Sequence, residues 1–123
     1  MKQALLVFLG GGLGSALRYL IAKNLNPLFQ GFFLGTFLVN VVGCLLIGFL
    51  MGMSLKSKWL GENQLLLLVT GFCGGFTTFS AFAFEKYTLI KTGDLYNFSF
   101  YTLASILLGI LAVLAGIWVA KLL

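Results

Sequence analysis

Four apolar runs, at about 3–22, 28–53, 63–90 and 97–120, are each long enough to cross the hydrocarbon core of a bilayer. No other feature restricts the chain as strongly. In lipid every backbone polar group needs a partner inside its own segment, and runs of this length meet that need as helices. Of the 123 residues 60% are hydrophobic and 9% are charged, whereas about a quarter of a soluble domain is charged. The expected fold is an all-α integral membrane protein, with 1–123 as a single four-helix transmembrane domain. A bundle this small encloses little volume, so a pore or pocket is expected to need a second copy.

The same composition excludes several functions. The net charge of +5 comes from basic residues scattered singly at the ends of apolar runs, which leaves no basic stripe for nucleic acid. Cys44 and Cys73 lie mid-span without CxxC spacing and are expected as buried, small apolar residues. With no histidine and three carboxylates, neither a metal hydrolase nor a catalytic triad has its side chains, and no enzyme is expected.

The first run resembles a signal peptide in outline, with Lys2 ahead of it and Gly14-Ser15-Ala16 as a cleavage site. It continues to Ile21 and carries Arg18 near its far end, so it is taken as a span. A charge there costs a few kcal/mol unless it snorkels or finds a partner. Snorkelling and a place in an ion path both stand open. Gly10, Gly11, Gly12 and Gly14 permit close approach by another helix. A turn at 24–27 carries the only proline, Pro27, suited to opening the second helix.

Thr36, Asn40, Cys44, Gly48 and Gly52 recur every four residues in the second run and form one stripe on a helix face. An unpartnered amide at Asn40 would be costly in lipid, so it either bridges helices or offers its NH₂ to something passing. A polar loop at 54–59 ends in an interfacial Trp59. Another loop, at 91–94, precedes the last run, where Tyr101, Ser105 and Gly109 are followed by a packing series of Ala112, Gly116 and Ala120.

The third run is built to interrupt its own helix near mid-membrane, within the stretch 71–82, where the pair Gly74-Gly75 is followed by Thr77 and Thr78. Each interior glycine costs roughly 1 kcal/mol against alanine, and the threonine hydroxyls can bond backbone that has left the ladder. In lipid such backbone is tolerated only where protein or a water-filled cavity satisfies it. The alternative is tight packing through Gly71 and Gly75, a GxxxG pair.

With four spans, Lys2, Lys56, Lys58 and Lys121 fall on the terminal side, and Arg18, Lys23, Lys86 and Lys91 on the other. That balance sets no orientation. Opposite insertions can then pair as an antiparallel dimer about a two-fold axis in the membrane plane. Two copies of the break could meet on such an axis, and clustered carbonyls suit a hard monovalent cation. Phe79, Phe82 and Glu85 recur at intervals of three and point roughly one way. Electropositive ring edges with Asn, Thr and Ser donors can solvate a small anion, and a cation path would more naturally use acidic rings.

Three motifs carry a resemblance: Gly11-Gly12-Leu13-Gly14-Ser15-Ala16-Leu17-Arg18-Tyr19, Gly35-Thr36-Phe37-Leu38-Val39-Asn40-Val41-Val42-Gly43, and Gly71-Phe72-Cys73-Gly74-Gly75-Phe76-Thr77-Thr78-Phe79-Ser80. Together they resemble the Fluc/CrcB fluoride-channel family of bacteria, across all four spans. The resemblance implies a dual-topology homodimer in the bacterial inner membrane, with two antiparallel fluoride pores and passive fluoride efflux that protects the cytoplasm. It implies one central, structural Na⁺, held by backbone carbonyls of Gly74 and Thr77 from both subunits. Phe79 and Phe82 would be the pore phenylalanines and Asn40 the pore amide. Thr36, Ser80, Tyr101 and Ser105 would complete the polar lining, with Glu85 near a pore mouth and Arg18 near an aqueous vestibule. Gly109 departs from the pattern, because the family often has a further hydroxyl there. A small dual-topology, proton-coupled drug exporter is the alternative, but such exporters need a mid-membrane carboxylate and the first span has none. A purely structural subunit would account for the small-residue stripes and not for the aligned Asn, Gly-Gly and Phe.

Overall fold

The computed structural model describes residues 1–56 and 60–123. Lys58 of the charge balance and the interfacial Trp59 lie outside the described residues. The chain runs as α1 (Lys2–Leu25), a 3-10 turn (Asn26–Leu28) and α2 (Leu34–Lys56). A third span follows in pieces: α3 (Glu62–Leu65), a π-helical segment (Leu66–Cys73), α4 (Gly74–Phe76) and α5 (Phe79–Lys91). The last helix is α6 (Leu95–Leu122). Four spans, Lys2–Leu28, Leu34–Lys56, Glu62–Lys91 and Leu95–Leu122, are long and apolar enough to cross a membrane.

Two boundaries differ from expectation. Pro27 opens the 3-10 turn and not the second helix, which starts only at Leu34. Between them Phe29 is extended and Gly31 has φ +77°, a left-handed conformation that glycine adopts without a Cβ clash. At the other end α2 continues through Ser54 and Leu55 to Lys56, residues expected in a loop. The turn at 91–94 closes α5 in a Schellman arrangement: Gly93 has φ +75°, its N–H donates to Ile90 O, and Asp94 N donates to Leu89 O. The Asp94 carboxylate then accepts from Asn97 N at 3.2 Å and caps α6.

Glycine contacts hold the helices in two pairs. Against the third span, a Cβ on Gly10 would collide with the Leu67 carbonyl, and one on Gly14 with the backbone of Phe72, Gly75 and Phe76. From the other side, a Cβ on Gly75 would collide with the Gly11 backbone. Gly48 lies against the Val113 backbone, and Gly116 against Leu45, Gly48 and Phe49, so α2 and α6 also meet backbone to backbone. Where lipid offers no hydrophobic drive between helices, such close approach supplies the packing energy.

These contacts revise the expectation for the glycine pair. Gly74 is helical, at φ −63° and ψ −37°, and α4 includes Gly75. The helix opens one step later, at Thr77 (φ −82°, ψ 158°) and Thr78 (φ −149°, ψ 124°). Gly71 and Gly75 thus serve the close packing that a GxxxG pair provides, and the two threonines carry the break.

Little of each span is buried by the chain itself, between 11% and 28% of its most apolar stretch. Phe8, Leu13, Leu103, Leu107, Leu111, Leu114 and Trp118 stand exposed, so the outer faces suit lipid or another copy.

The packing predicts unequal glycine tolerance on α1 and its neighbour. Gly75→Val forces a branched side chain onto the Gly11 backbone and should destabilise by about 3 kcal/mol or more. Gly12→Val meets nothing within 4 Å and should stay within about 1 kcal/mol of wild type, roughly its change in helix propensity. Thermal unfolding of the detergent-solubilised proteins compares them.

Candidate functional site at the helix break

Opening the helix at Thr77 and Thr78 strands backbone groups, and side chains take them up. Thr78 N donates to Asn40 Oδ1 at 2.8 Å, and Asn40 Nδ2 donates back to Thr78 O at 3.1 Å. The amide of Asn40 therefore bonds both faces of one peptide position, as a neighbouring strand would. Thr78 Oγ1 accepts from Ala81 N at 3.2 Å and serves as the N-cap of α5. Thr77 Oγ1 donates to Cys73 O at 2.9 Å. On the α1 side, Arg18 Nε (3.0 Å) and Ser15 Oγ (3.3 Å) both donate to Gly75 O.

One consequence concerns the carbonyls. In an unbroken helix Gly74 O would accept from Thr78 N, and Thr77 O from Ala81 N. Both amides are diverted, the first to Asn40 and the second to the Thr78 hydroxyl. Gly74 and Thr77 are thus among the positions whose carbonyl oxygens are released from the ladder, and both line an open groove.

That groove, about 550 Å³, lies between α2, the π-helical segment, the break and α6. Asn40, Thr70, Gly74, Thr77, Phe79, Phe82 and Ser105 line it, and no charged side chain among the described residues does. Phe79 is 80% exposed on its wall, with its ring centroid 6.2 Å from that of Phe82.

Behind Phe82 the polar residues continue into protein. Tyr101 is fully buried and meets Phe82 edge-on at 5.4 Å. Its hydroxyl donates to Glu85 Oε2 at 2.8 Å, while Thr36 Oγ1 donates to Glu85 Oε1 at 2.5 Å. Thr36 Oγ1 in turn accepts from Asn26 Nδ2 at 3.1 Å. Glu85 is buried, with each carboxylate oxygen engaged.

The structure therefore brings Asn40, Phe79, Phe82, Ser105, Gly74 and Thr77 to one groove, and Thr36, Tyr101 and Glu85 to an adjoining buried cluster. Ser80 is exposed, 3.4 Å from Thr78 Oγ1, and does not line the groove. Arg18 neither snorkels freely nor reaches the groove, because it braces Gly75 from behind. Gly109 is buried, and a Cβ there would rest 3.6 Å from Cys44 Sγ, so a small side chain fits. Three participants escaped notice in the sequence. Thr78 looked like one of a pair of equivalent threonines, and Asn26 looked like turn punctuation beside Pro27. Lys86 looked like an interfacial charge, although it lies four residues from Phe82 and hence on its face.

Comparison with known proteins adds a family to this geometry. A family model described as CrcB-like protein, Camphor Resistance (CrcB), matches residues 5–117. A protein of Bacteroides fragilis named Fluoride-specific ion channel FluC is 48% identical over 120 residues, covering 94% of each chain. One of the same name from Chlorobium luteolum is 47% identical over 119 residues, covering 97% of this chain and 92% of its own length. A third, from Azobacteroides pseudotrichonymphae, is 44% identical over 117 residues and 94% of each chain.

The clamp on Thr78 makes a prediction about stability. Asn40→Ala removes the partner of one N–H and one C=O, and each unpaired buried group costs about 1–3 kcal/mol. The variant should lose about 2 kcal/mol or more. Asn40→Asp, which still accepts from Thr78 N, should lose less. Chemical or thermal unfolding in detergent provides the comparison.

Proposed function

The chain belongs to the CrcB-like protein family, and from that premise we propose that it forms a fluoride-selective ion channel. The observation that carries the proposal is the chargeless groove at the break, with its amide and hydroxyl donors and two phenylalanines. A small, strongly hydrated anion gives up water on entry. Donors fixed by packing, such as Asn40 Nδ2 and Ser105 Oγ, replace part of that hydration. The positive edges of Phe79 and Phe82 supply more without binding so tightly that the ion cannot leave. Chloride is larger, and a narrow track of fixed donors discriminates against it by fit. The names of the relatives, each a fluoride-specific channel matched over nearly its full length, support this choice of anion.

The channel is proposed to be an antiparallel homodimer with dual topology in the bacterial inner membrane. The exposed faces of α1 and α6, the exposed Phe79 and the balanced basic residues favour a second copy that completes each groove. Efflux would be passive and would relieve a cytoplasm in which fluoride accumulates after entering as its acid.

A structural Na⁺ at the dimer axis belongs to the same proposal. The donor set fits: Gly74 and Thr77 offer neutral carbonyl oxygens whose amide partners are taken elsewhere, and hard oxygen ligands suit a small monovalent cation. When bound, the cation would supply fixed positive charge between two grooves and lower the cost of an anion passing nearby. A drug exporter is disfavoured by the state of Glu85, whose two oxygens are held by Thr36 and Tyr101.

Flux from proteoliposomes tests the channel. Wild type should release fluoride passively and retain chloride; equal flux of the two would overturn the assignment. In Phe79→Ile and Phe82→Ile the apolar bulk stays and the electropositive edge goes. Folded protein with at least tenfold lower fluoride flux is expected, an effect of about 1.4 kcal/mol or more. Wild-type rates in the folded double variant would remove the aromatic role.

A separate measurement addresses the cation. Full exchange of Na⁺ for a bulky organic cation should weaken both dimerisation and fluoride flux, whereas Thr77→Ser, which keeps the backbone and the hydroxyl, should preserve both. Unchanged flux and dimer stability after exchange would leave the break as packing alone.

A further inference from the structure

Among the described residues, two buried side-chain polar atoms have no hydrogen-bond partner: Ser105 Oγ and Lys86 Nζ. Ser105 already lines the groove. Lys86 does not, and its position has no explanation in the architecture. It is a cation 8% exposed, placed at the end of a chargeless path. A buried ammonium normally requires a carboxylate or several acceptors. The adjacent Glu85 attracts it through space but makes no hydrogen bond to it, since Lys86 Nζ has no hydrogen-bond partner, and the oxygens of Glu85 accept instead from Thr36 and Tyr101.

Three rings hold the ammonium instead. Lys86 Nζ lies 3.3 Å from the ring centroid of Tyr101, 4.6 Å from that of Phe82 and 5.8 Å from that of Phe98. Such contacts compensate part of the lost hydration, and more strongly where water is excluded. Glu85 and Lys86 are successive residues on α5, so their side chains leave the helix about 100° apart. The negative end of this pair faces Thr36, and the positive end rests on Phe82, a wall of the groove.

We infer that Lys86 is an electrostatic positioning residue for anion permeation, acting on a small halide ion through the rings of Phe82 and Tyr101. The inference rests on the channel reading above. A cation over a ring face draws electron density toward that face and leaves the edge C–H groups more positive. The faces of Phe82 are electron-rich, so its edge is what can meet an anion, and Lys86 makes that edge a stronger donor. Over Tyr101 the same charge polarises the hydroxyl.

Packing alone makes a different forecast. If Lys86 only fills a space, an unbranched apolar chain of similar length should serve an aromatic box at least as well, and the longer arginine should serve worse. Lys86→Met, Lys86→Gln and Lys86→Arg therefore separate the two. Each is reconstituted at low density, and the fluoride flux of active vesicles is recorded apart from the fraction of vesicles that are active. Misfolding lowers the fraction, whereas lost electrostatics lowers the rate and raises the half-saturating fluoride concentration. Lys86→Met and Lys86→Gln should lose roughly tenfold in rate per active vesicle, and Lys86→Arg should recover most of it. Wild-type rates in either neutral variant, or equal losses in the neutral and arginine variants, would overturn the inference while leaving the channel intact. Wild type that carries no fluoride would overturn both.

Discussion

Two hydrogen bonds between the Asn40 side chain and the backbone of Thr78, one donated and one accepted by the amide, make the interrupted helix possible. Without them the third span would face lipid or a neighbour with an open N–H and an open C=O, each a loss of about 1–3 kcal/mol. With them, both groups find partners within the chain. The Thr78 hydroxyl then starts α5 by capping Ala81 N, and Arg18 with Ser15 steadies Gly75 from the opposite side. The break is held from three directions, by α2, by α1 and by its own first turn, so the freed carbonyls belong to a fixed geometry.

Glycine packing sets where that clamp can act. Gly10 and Gly14 bring α1 against the third span, while Gly48 and Gly116 bring α2 against α6. The third span is thus lodged against α1, and Asn40 reaches across from α2. The same arrangement leaves a wide apolar exterior and an exposed Phe79 beside an open groove. A protein this small fills its interior with helix contacts, and the site is left at its surface. In the proposed dimer one copy would wall the groove of the other.

Much of this was legible in the sequence, for identifiable physical reasons. Span number follows from hydropathy because the length of a crossing helix is fixed by the bilayer. The stripe at Thr36, Asn40, Cys44, Gly48 and Gly52 was legible because spacing by four projects onto one face. The grouping of Asn40, Phe79, Phe82 and Ser105 was legible only with the family resemblance, since no local pattern relates α2 to α6. Other features depend on tertiary contact. Whether Gly74 and Gly75 break the helix or pack it turns on Gly11 opposite, and propensity alone argued for the wrong residues. Pro27 marked a turn correctly, but the left-handed Gly31 delayed α2. Glu85 and Lys86 read as rim charges because their cost in a buried site is high, and the partners that reduce it, Thr36, Tyr101 and three rings, come from other helices.

In the proposed channel the break is an ion site with released carbonyls and not a packing defect. Isotope-edited infrared spectroscopy tests it at single bonds, with ¹³C=¹⁸O placed at Gly74 or Thr77 of the reconstituted protein and Na⁺ exchanged for a bulky organic cation. The account predicts a shift of both labelled carbonyl bands on exchange and none for a label at Gly71, which lies within the π-helical segment. Bands at Gly74 and Thr77 that stay fixed through complete exchange would contradict it.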